Sequence, residues 1–397
     1  MKPNRNVWLM YAIAFLQGMV FYGPIATLYR AAAGVSIFQI AVIESISLVL
    51  CLLLELPWGI AADKIGYKKT LSICYLLYFL SKLVFWKASG FGGFLLERIM
   101  LSVIVSGISG VDVSLLYLSC GKGASQRVFG VYNNLNTAGL LFAAAVYSAF
   151  IKSDYRLAGF LTAVSYGLAA LLSFALAEVR REEGPEEGRA KAYLALLGRT
   201  AKDGRHLMFL ACVALLSETC QIVTVFFNQL QYVKCGLGNA AIGTIYIAVT
   251  LVGLLGVFSD ALTRSLGAKK LASALFLTAA AACAVLAFTG SAVLSVLSVA
   301  ALRLSSSLFQ PLQTEIQSRL VVSGNRATEL SINAVLIDSV CAGTNVALGK
   351  LADLNLTWAM LAGAFLCASA LLLFLAWARG EPAMRPEAAP PGAVTQK

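Results

Sequence analysis

Histidine is almost missing from this chain. His206 is the only one, and without a second the sequence excludes histidine-built metal centres and histidine-assisted nucleophiles. The nine cysteines contain no C-x-x-C pair and fall mostly inside apolar runs, where a thiol is a small packing group. They imply neither a zinc site nor a disulfide framework. Charge is scarce as well. Asp, Glu, Lys and Arg make up 13% of residues against 59% hydrophobic ones, a balance foreign to water-soluble domains. Phosphate-binding loops are missing too. "GTNVALGKL", Gly343 to Leu351, places five residues between Gly343 and Gly349-Lys350 where such a loop has four, and Leu351 stands where Ser or Thr is needed. "GLGNAAIG", Gly236 to Gly243, has the wrong spacing for a dinucleotide turn and no strand before it. No enzyme, no metal and no cofactor is expected.

What is abundant is apolar length. A bilayer core about 30 Å thick takes roughly 20 apolar residues per helix. Runs of that length fall at about 8–29, 36–62, 70–86, 93–118, 127–150, 156–178, 206–231, 240–260, 271–289, 291–318, 328–350 and 356–377. Twelve spans make an all-α integral membrane protein with the lipid bilayer as its first partner. The net charge of +11 raises nucleic acid as another, but position answers that. With the N-terminus inside, 22 of the 31 lysines and arginines lie on the inner side, 6 on the outer, and Lys82, Arg98 and Arg303 within spans. This is the positive-inside pattern; it expects both termini in the cytoplasm and leaves nucleic acid no role. Lys2 and Arg5 precede a first run longer than a signal-peptide core, with no small-residue cleavage site behind it, so the first helix is expected to stay.

The longest polar interruption begins "EVRREEGPEEGRAKAYLALLGRT" at Glu178 and leaves six spans on each side. It divides the chain into a bundle at 1–178, a cytoplasmic linker at 179–205, a second bundle at 206–378 and a tail at 379–397. Gly184 to Gly188 is expected to be irregular, Arg189 to Lys202 to form a short interfacial helix, and the proline-rich tail to be disordered. The halves echo each other. Gly59-x-x-x-Asp63, Gly66 and Lys68-Lys69 follow the second span; Gly256-x-x-x-Asp260, Gly267 and Lys269-Lys270 follow the eighth. Asp63 and Asp260 are 197 residues apart, Gly66 and Gly267 201, and Arg127 and Arg326 199. Such constant offsets read as a duplicated six-helix unit, an architecture common in secondary transporters.

With twelve spans, a central bridge and these loops, the sequence resembles the major facilitator superfamily along almost its whole length. "GIAADKIGYKK" is similar to the family's Gly-x-x-x-Asp-Arg-x-Gly-Arg-Arg/Lys loop: Gly59, Asp63, Gly66, Lys68 and Lys69 match, while Lys64 and Tyr67 stand where Arg is usual. "GVSIFQIAVIES", "LELPWG", "SGVDVSLLY" and "RATELSIN" resemble a less characterised bacterial branch. The Gly-Pro-x-x-Gly-Gly motif of many drug/proton antiporters is missing, since Thr137 to Ala145 reads "TAGLLFAAA". The resemblance implies two pseudo-symmetric six-helix bundles in a bacterial cytoplasmic membrane, working by alternating access. It also implies that Gly59, Asp63, Gly66, Lys68, Lys69, Asp260 and Gly267 form a latch between the halves.

Charges at bilayer depth narrow the site. Each costs roughly 2.5–3.5 kcal/mol near the centre, so Arg98, Asp112, Glu218, Arg303 and Asp338 cannot face lipid. At 100° per residue Arg98, Ser102, Ser109 and Asp112 share one face, Glu218, Gln221 and Gln229 another, and Arg303, Ser306, Ser307, Gln310, Thr314 and Gln317 a third. Ser331, Asp338 and Asn345 recur every seven residues; Glu44, Ser47 and Glu55 align in the second span. Facilitators line their cavity with helices one, four, seven and ten, so the resemblance and the stripes agree on three of these. Gln17 and Tyr22 supply the first, where Gly23-Pro24 is expected to bend the helix. Candidate cavity residues are thus Gln17, Tyr22, Arg98, Ser109, Gln221, Gln229, Arg303, Ser307 and Gln310. Glu218 is the first candidate proton carrier, followed by Asp338 and Asp112, with a structural pairing as the competing account of each. Arg98 and Arg303 read either as a grip on an anionic or zwitterionic solute or as partners of Asp112 or Glu218. Lys82 is expected to snorkel outward.

The reading is a monomeric, proton-coupled secondary transporter of a small polar or amphipathic solute. Drug or metabolite efflux by antiport is the nearest alternative, and a non-transporting sensor or scaffold the alternative of another class.

Overall fold

The computed structural model describes residues 4–109, 111–120, 125–152, 154–179, 198, 200, 202–320 and 326–379. The expectations for Gly184–Gly188, for most of the 189–202 helix and for the tail beyond Arg379 lie outside the described residues. So do the side chains of Glu55, Asp63, Arg127 and Arg326.

Twelve helices are long and apolar enough to cross a membrane: α1 Arg5–Ala32, α2 Ile37–Leu54, α3 Tyr67–Lys87, α4 Gly90–Ser119, α5 Val128–Ile151, α6 Tyr155–Ser173, α7 Gly204–Lys234, α8 Asn239–Leu266, α9 Ala268–Phe288, α10 Ala292–Gln317, α11 Ile332–Leu354 and α12 Leu356–Ala378. The helix of α2 continues to Ile65. Several are interrupted. α1 breaks after Gly18 and restarts through a 3-10 turn at Gly23–Ile25, with Pro24 in its first turn as the Gly-Pro pair predicts. α4 breaks at Ser109, α7 contains a π-turn at Val223–Phe227, and α8 a 3-10 turn at Leu254–Phe258.

The two halves pack alike. α1 packs on α5, α2 on α4 and α3 on α6; six helices later α7 packs on α11, α8 on α10 and α9 on α12. The turn glycines repeat as well: Gly66 (φ 96°) and Gly267 (φ 81°) both take the left-handed conformation that starts the next helix. Within the first half α1 and α5 touch through glycines. A Cβ on Gly139 would lie 2.1 Å from the Phe15 carbonyl oxygen, and one on Gly18 2.0 Å from that of Asn136. Without a hydrophobic force between helices in lipid, such close backbone contact is a main source of association. Gly139→Leu is therefore expected to destabilise the protein by about 1–3 kcal/mol, read as a lower unfolding midpoint in mild detergent. An unchanged midpoint would refute this contact.

Contacts joining the halves gather at the end away from the termini. There Gln229 accepts the Thr27 and Leu28 N–H groups (2.9 and 3.2 Å), Ser45 donates to the Ala342 carbonyl (2.9 Å) and Asn239 donates to the Tyr155 hydroxyl (3.1 Å). A Cβ on Gly349 would sit 2.3 Å from that of Ala41, and one on Gly243 2.2 Å from the Ser148 hydroxyl. Toward the termini, polar Asn133 and Asn134 on α5 and Gln310 and Thr314 on α10 are exposed.

Candidate functional site

Between the halves lies a cavity of about 90 Å³, walled by Leu140 of α5, Thr224 and Asn228 of α7, Tyr246 and Thr250 of α8, and Arg303 of α10. The Thr224 and Thr250 hydroxyls donate to the carbonyls of Cys220 (2.7 Å) and Tyr246 (2.8 Å), one turn back. Asn228 accepts the Gln229 N–H (2.7 Å) through its side-chain oxygen, which leaves its amide hydrogens free to donate. Arg303 lies against the α8 backbone: a Cβ at Gly253 would be 2.7 Å from its Nε. Among the described residues no carboxylate lies within ion-pair distance of it.

The other embedded cations are paired. Lys82 is buried and donates to Glu97 (2.9 Å) and the Tyr22 hydroxyl (3.0 Å), with the rings of Tyr22, Tyr78, Phe85 and Tyr166 within 5.3 to 5.9 Å of its ammonium. The expected outward snorkelling is thus corrected. Lys82 and Glu97 stand nearly level on either side of the α3–α4 turn, and a carboxylate among aromatic faces replaces water without the chain having to reach the interface. Glu44 receives both Arg98 and Arg30 (3.4 Å for the latter). Arg98 therefore pairs with neither Asp112 nor Glu218. Arg30, which follows the first expected span and so falls among the six outer-side cations, is 5% exposed.

Glu218 is buried at the interface beside Cys341 of α11, whose thiol donates to the Ala214 carbonyl (3.8 Å), and the carboxylates of Glu44 and Asp338 are near enough to act on it through space. It is thus the point at which acids from both halves meet. Asp112 accepts instead from Tyr132 (3.3 Å) and from the Val113 N–H (2.7 Å).

Helical projection turned Gln229 to a different face. It assumes an unbroken helix, and a π-turn holds one extra residue, which rotates the remainder of the helix by about 100°. Past the π-turn of α7, Gln229 is therefore buried against α1 while Asn228 reaches the cavity, joined there by Thr224 from within the turn. Ser109 sits at the α4 break and is exposed, as are Gln221 and Gln310. Gln17 accepts the Tyr166 hydroxyl on its backbone carbonyl, and Tyr22 stacks on Phe85 with 4.0 Å between ring centres. Ser307 lies beside Gly256, whose Cβ would be 2.7 Å from the Ser307 carbonyl oxygen. Of the nine cavity candidates only Arg303 lines this cavity. Tyr246 and Thr250 were missed because α8 carries no charge there, although Tyr246, Val249, Thr250 and Gly253 have the i, i+3, i+4, i+7 spacing of one helix face.

In the loop regions, Glu178 accepts the Lys68 N–H (3.2 Å) and its carboxylate lies against Gly66. Asp260 pairs with Arg264 on its own helix, and both are exposed. Lys69 and Gly267 are exposed; the Asp63 side chain lies outside the described residues. The lone histidine is bound within the second half, its Nε2 2.8 Å from the Asn333 side-chain oxygen.

The sequence pattern of the Major Facilitator Superfamily matches residues 7–342. The chain belongs to the Major Facilitator Superfamily. Its fold is that of solved facilitators. The nucleoside transporter NupG superposes with a TM-score of 0.81 at 15% identity, covering 95% of this chain and 100% of that one. A bacterial homologue of the human lysosomal transporter Spinster, crystallised inward-facing and unoccupied, gives 0.74 at 14% over 94% and 95%. The D-xylose-proton symporter gives 0.69 at 14% over 93% and 97%. No curated protein matches in sequence. A facilitator is a membrane transporter and not an enzyme, and its cargo is a small solute.

Proposed function

We propose that this facilitator is a proton-coupled secondary transporter of a small polar solute, working as a monomer by alternating access. The positive-inside pattern supports cytoplasmic termini; in that orientation, in a bacterial inner membrane, the contacts at Gln229, Ser45 and Gly349 close the outer side and the exposed stripe of α10 faces inward. Rocking of one bundle against the other exchanges these contacts for others at the cytoplasmic end. There Gly59, Asp63, Gly66, Lys68 and Lys69, with Asp260 and Gly267, act as the latch. The observation that carries proton coupling is Glu218, a buried carboxylate at the seam with two further acids close by. Motion of the seam changes the separation of Glu218 from the acids beside it, which ties its proton to the conformational cycle.

A thermal-shift screen against sugars, nucleosides, amino acids, organic acids and drugs supplies the solute for the test. In proteoliposomes, Glu218→Gln is expected to abolish its accumulation driven by a pH gradient while leaving exchange of labelled for unlabelled solute within a few fold. Accumulation equal to that of the parent protein would eliminate Glu218 as the coupling group.

A further inference from the structure

We propose that the cavity at Arg303 binds the carboxylate of a small organic monoanion. The inference deepens the transport reading and rests on it for what the bound solute does next.

Arg303 is eleven residues from the start of α10 at Ala292, about 16 Å along the helix, which puts its guanidinium near the middle of a bilayer core about 30 Å thick. A cation at that depth needs a counter-charge. Arg30 and Arg98 have Glu44 and Lys82 has Glu97; Arg303 has no carboxylate within reach among the described residues, and none lines its cavity. The remaining wall is neutral, and the Asn228 amide and the Tyr246 hydroxyl are able to donate. A bound anion therefore gives Arg303 the charged partner that an acid of the chain gives each of the others.

The same lining sets the class of anion. Among the described wall residues Arg303 is the only cation, so one negative charge is matched and a second, as on a phosphate dianion, is left uncompensated where dielectric screening is weak. The planar fork of a guanidinium fits the two oxygens of a carboxylate. Size agrees. The cavity of about 90 Å³ is several times the roughly 10–15 Å³ that one water needs on such a measure, room for a carboxylate and a small organic body. Because Leu140 belongs to the first half and the other wall residues to the second, a solute held here touches both bundles and is released when they part.

The test is binding to the purified full-length protein in detergent, measured by calorimetry. The probes are lactate and benzoate, their neutral amides lactamide and benzamide, and inorganic phosphate. At least one acid is expected to bind, with its amide at least tenfold weaker and phosphate without effect. In Arg303→Gln the acid should lose tenfold or more in affinity while the variant elutes and melts as the parent does. If that variant fails to fold, phenylglyoxal labelling of the parent replaces it: the acid should block modification of Arg303 and its amide should not. No binding by either acid, equal binding of acid and amide, equal binding of phosphate, retained affinity in Arg303→Gln, or labelling indifferent to the acid would each overturn the proposal. These outcomes are separate from transport. Gradient-driven uptake of a neutral solute would survive loss of the anion site, and carboxylate binding without any flux would remove the transport reading and keep the site.

Discussion

Lys82→Met is expected to destabilise the first bundle by about 3–5 kcal/mol, the usual penalty for removing one partner of a buried ion pair. Methionine fills most of the lysine stem, so the loss falls on Glu97, which is 1% exposed and already has one carboxylate oxygen, Oε2, without a partner. With the ammonium gone, its other oxygen loses the 2.9 Å contact and the charge stands alone among aromatic rings. The double variant Lys82→Met/Glu97→Met should recover most of the stability, because two apolar side chains satisfy that space about as well as the pair does. Unfolding midpoints of the parent, the two single variants and the double variant, measured in one detergent, form the cycle. Additive losses in the double variant would show that Lys82 and Glu97 do not act as a unit.

The second large effect is a block of transport by a single covalent link. Ala41→Cys/Gly349→Cys places two thiols across the outer seam, where Cβ atoms on unaltered backbones would be 2.3 Å apart. Parting of α2 and α11 by about 1.5 Å brings them to the roughly 3.8 Å of a disulfide. Oxidation is expected to reduce solute flux to background and a reductant to restore it, since alternating access needs this seam to open. Each single variant under the same oxidant controls for the nine native cysteines. Full flux in the cross-linked protein would mean that Ala41 and Gly349 need not separate in the cycle.

Much of the architecture was legible because lipid imposes strict rules. Apolar length gave all twelve spans, and the repeated Gly-x-x-x-Asp loops foretold the matching packing of the halves. The Gly-Pro pair foretold the break in α1. The candidate site was legible only in part. Arg303 stood out because a charge at that depth needs a reason, but Tyr246 and Thr250 did not, because an uncharged helix face gives no such alarm. Gln229 looked like a cavity residue until the π-turn of α7 turned it toward α1. Glu97 and Arg30 were overlooked as residues near span ends, yet both are buried partners in the first bundle.

The sequence by itself determined how many helices cross the membrane, the repeat that relates the halves, and which charges must avoid lipid. Each comes from a local quantity, the transfer of a side chain or a backbone segment into hydrocarbon. Only the tertiary structure decided which cation met which acid, and therefore which one was left for a ligand. Pairing depends on where helices cross and how breaks rotate them, and a shift of one residue in a turn moves a side chain from one neighbour to another.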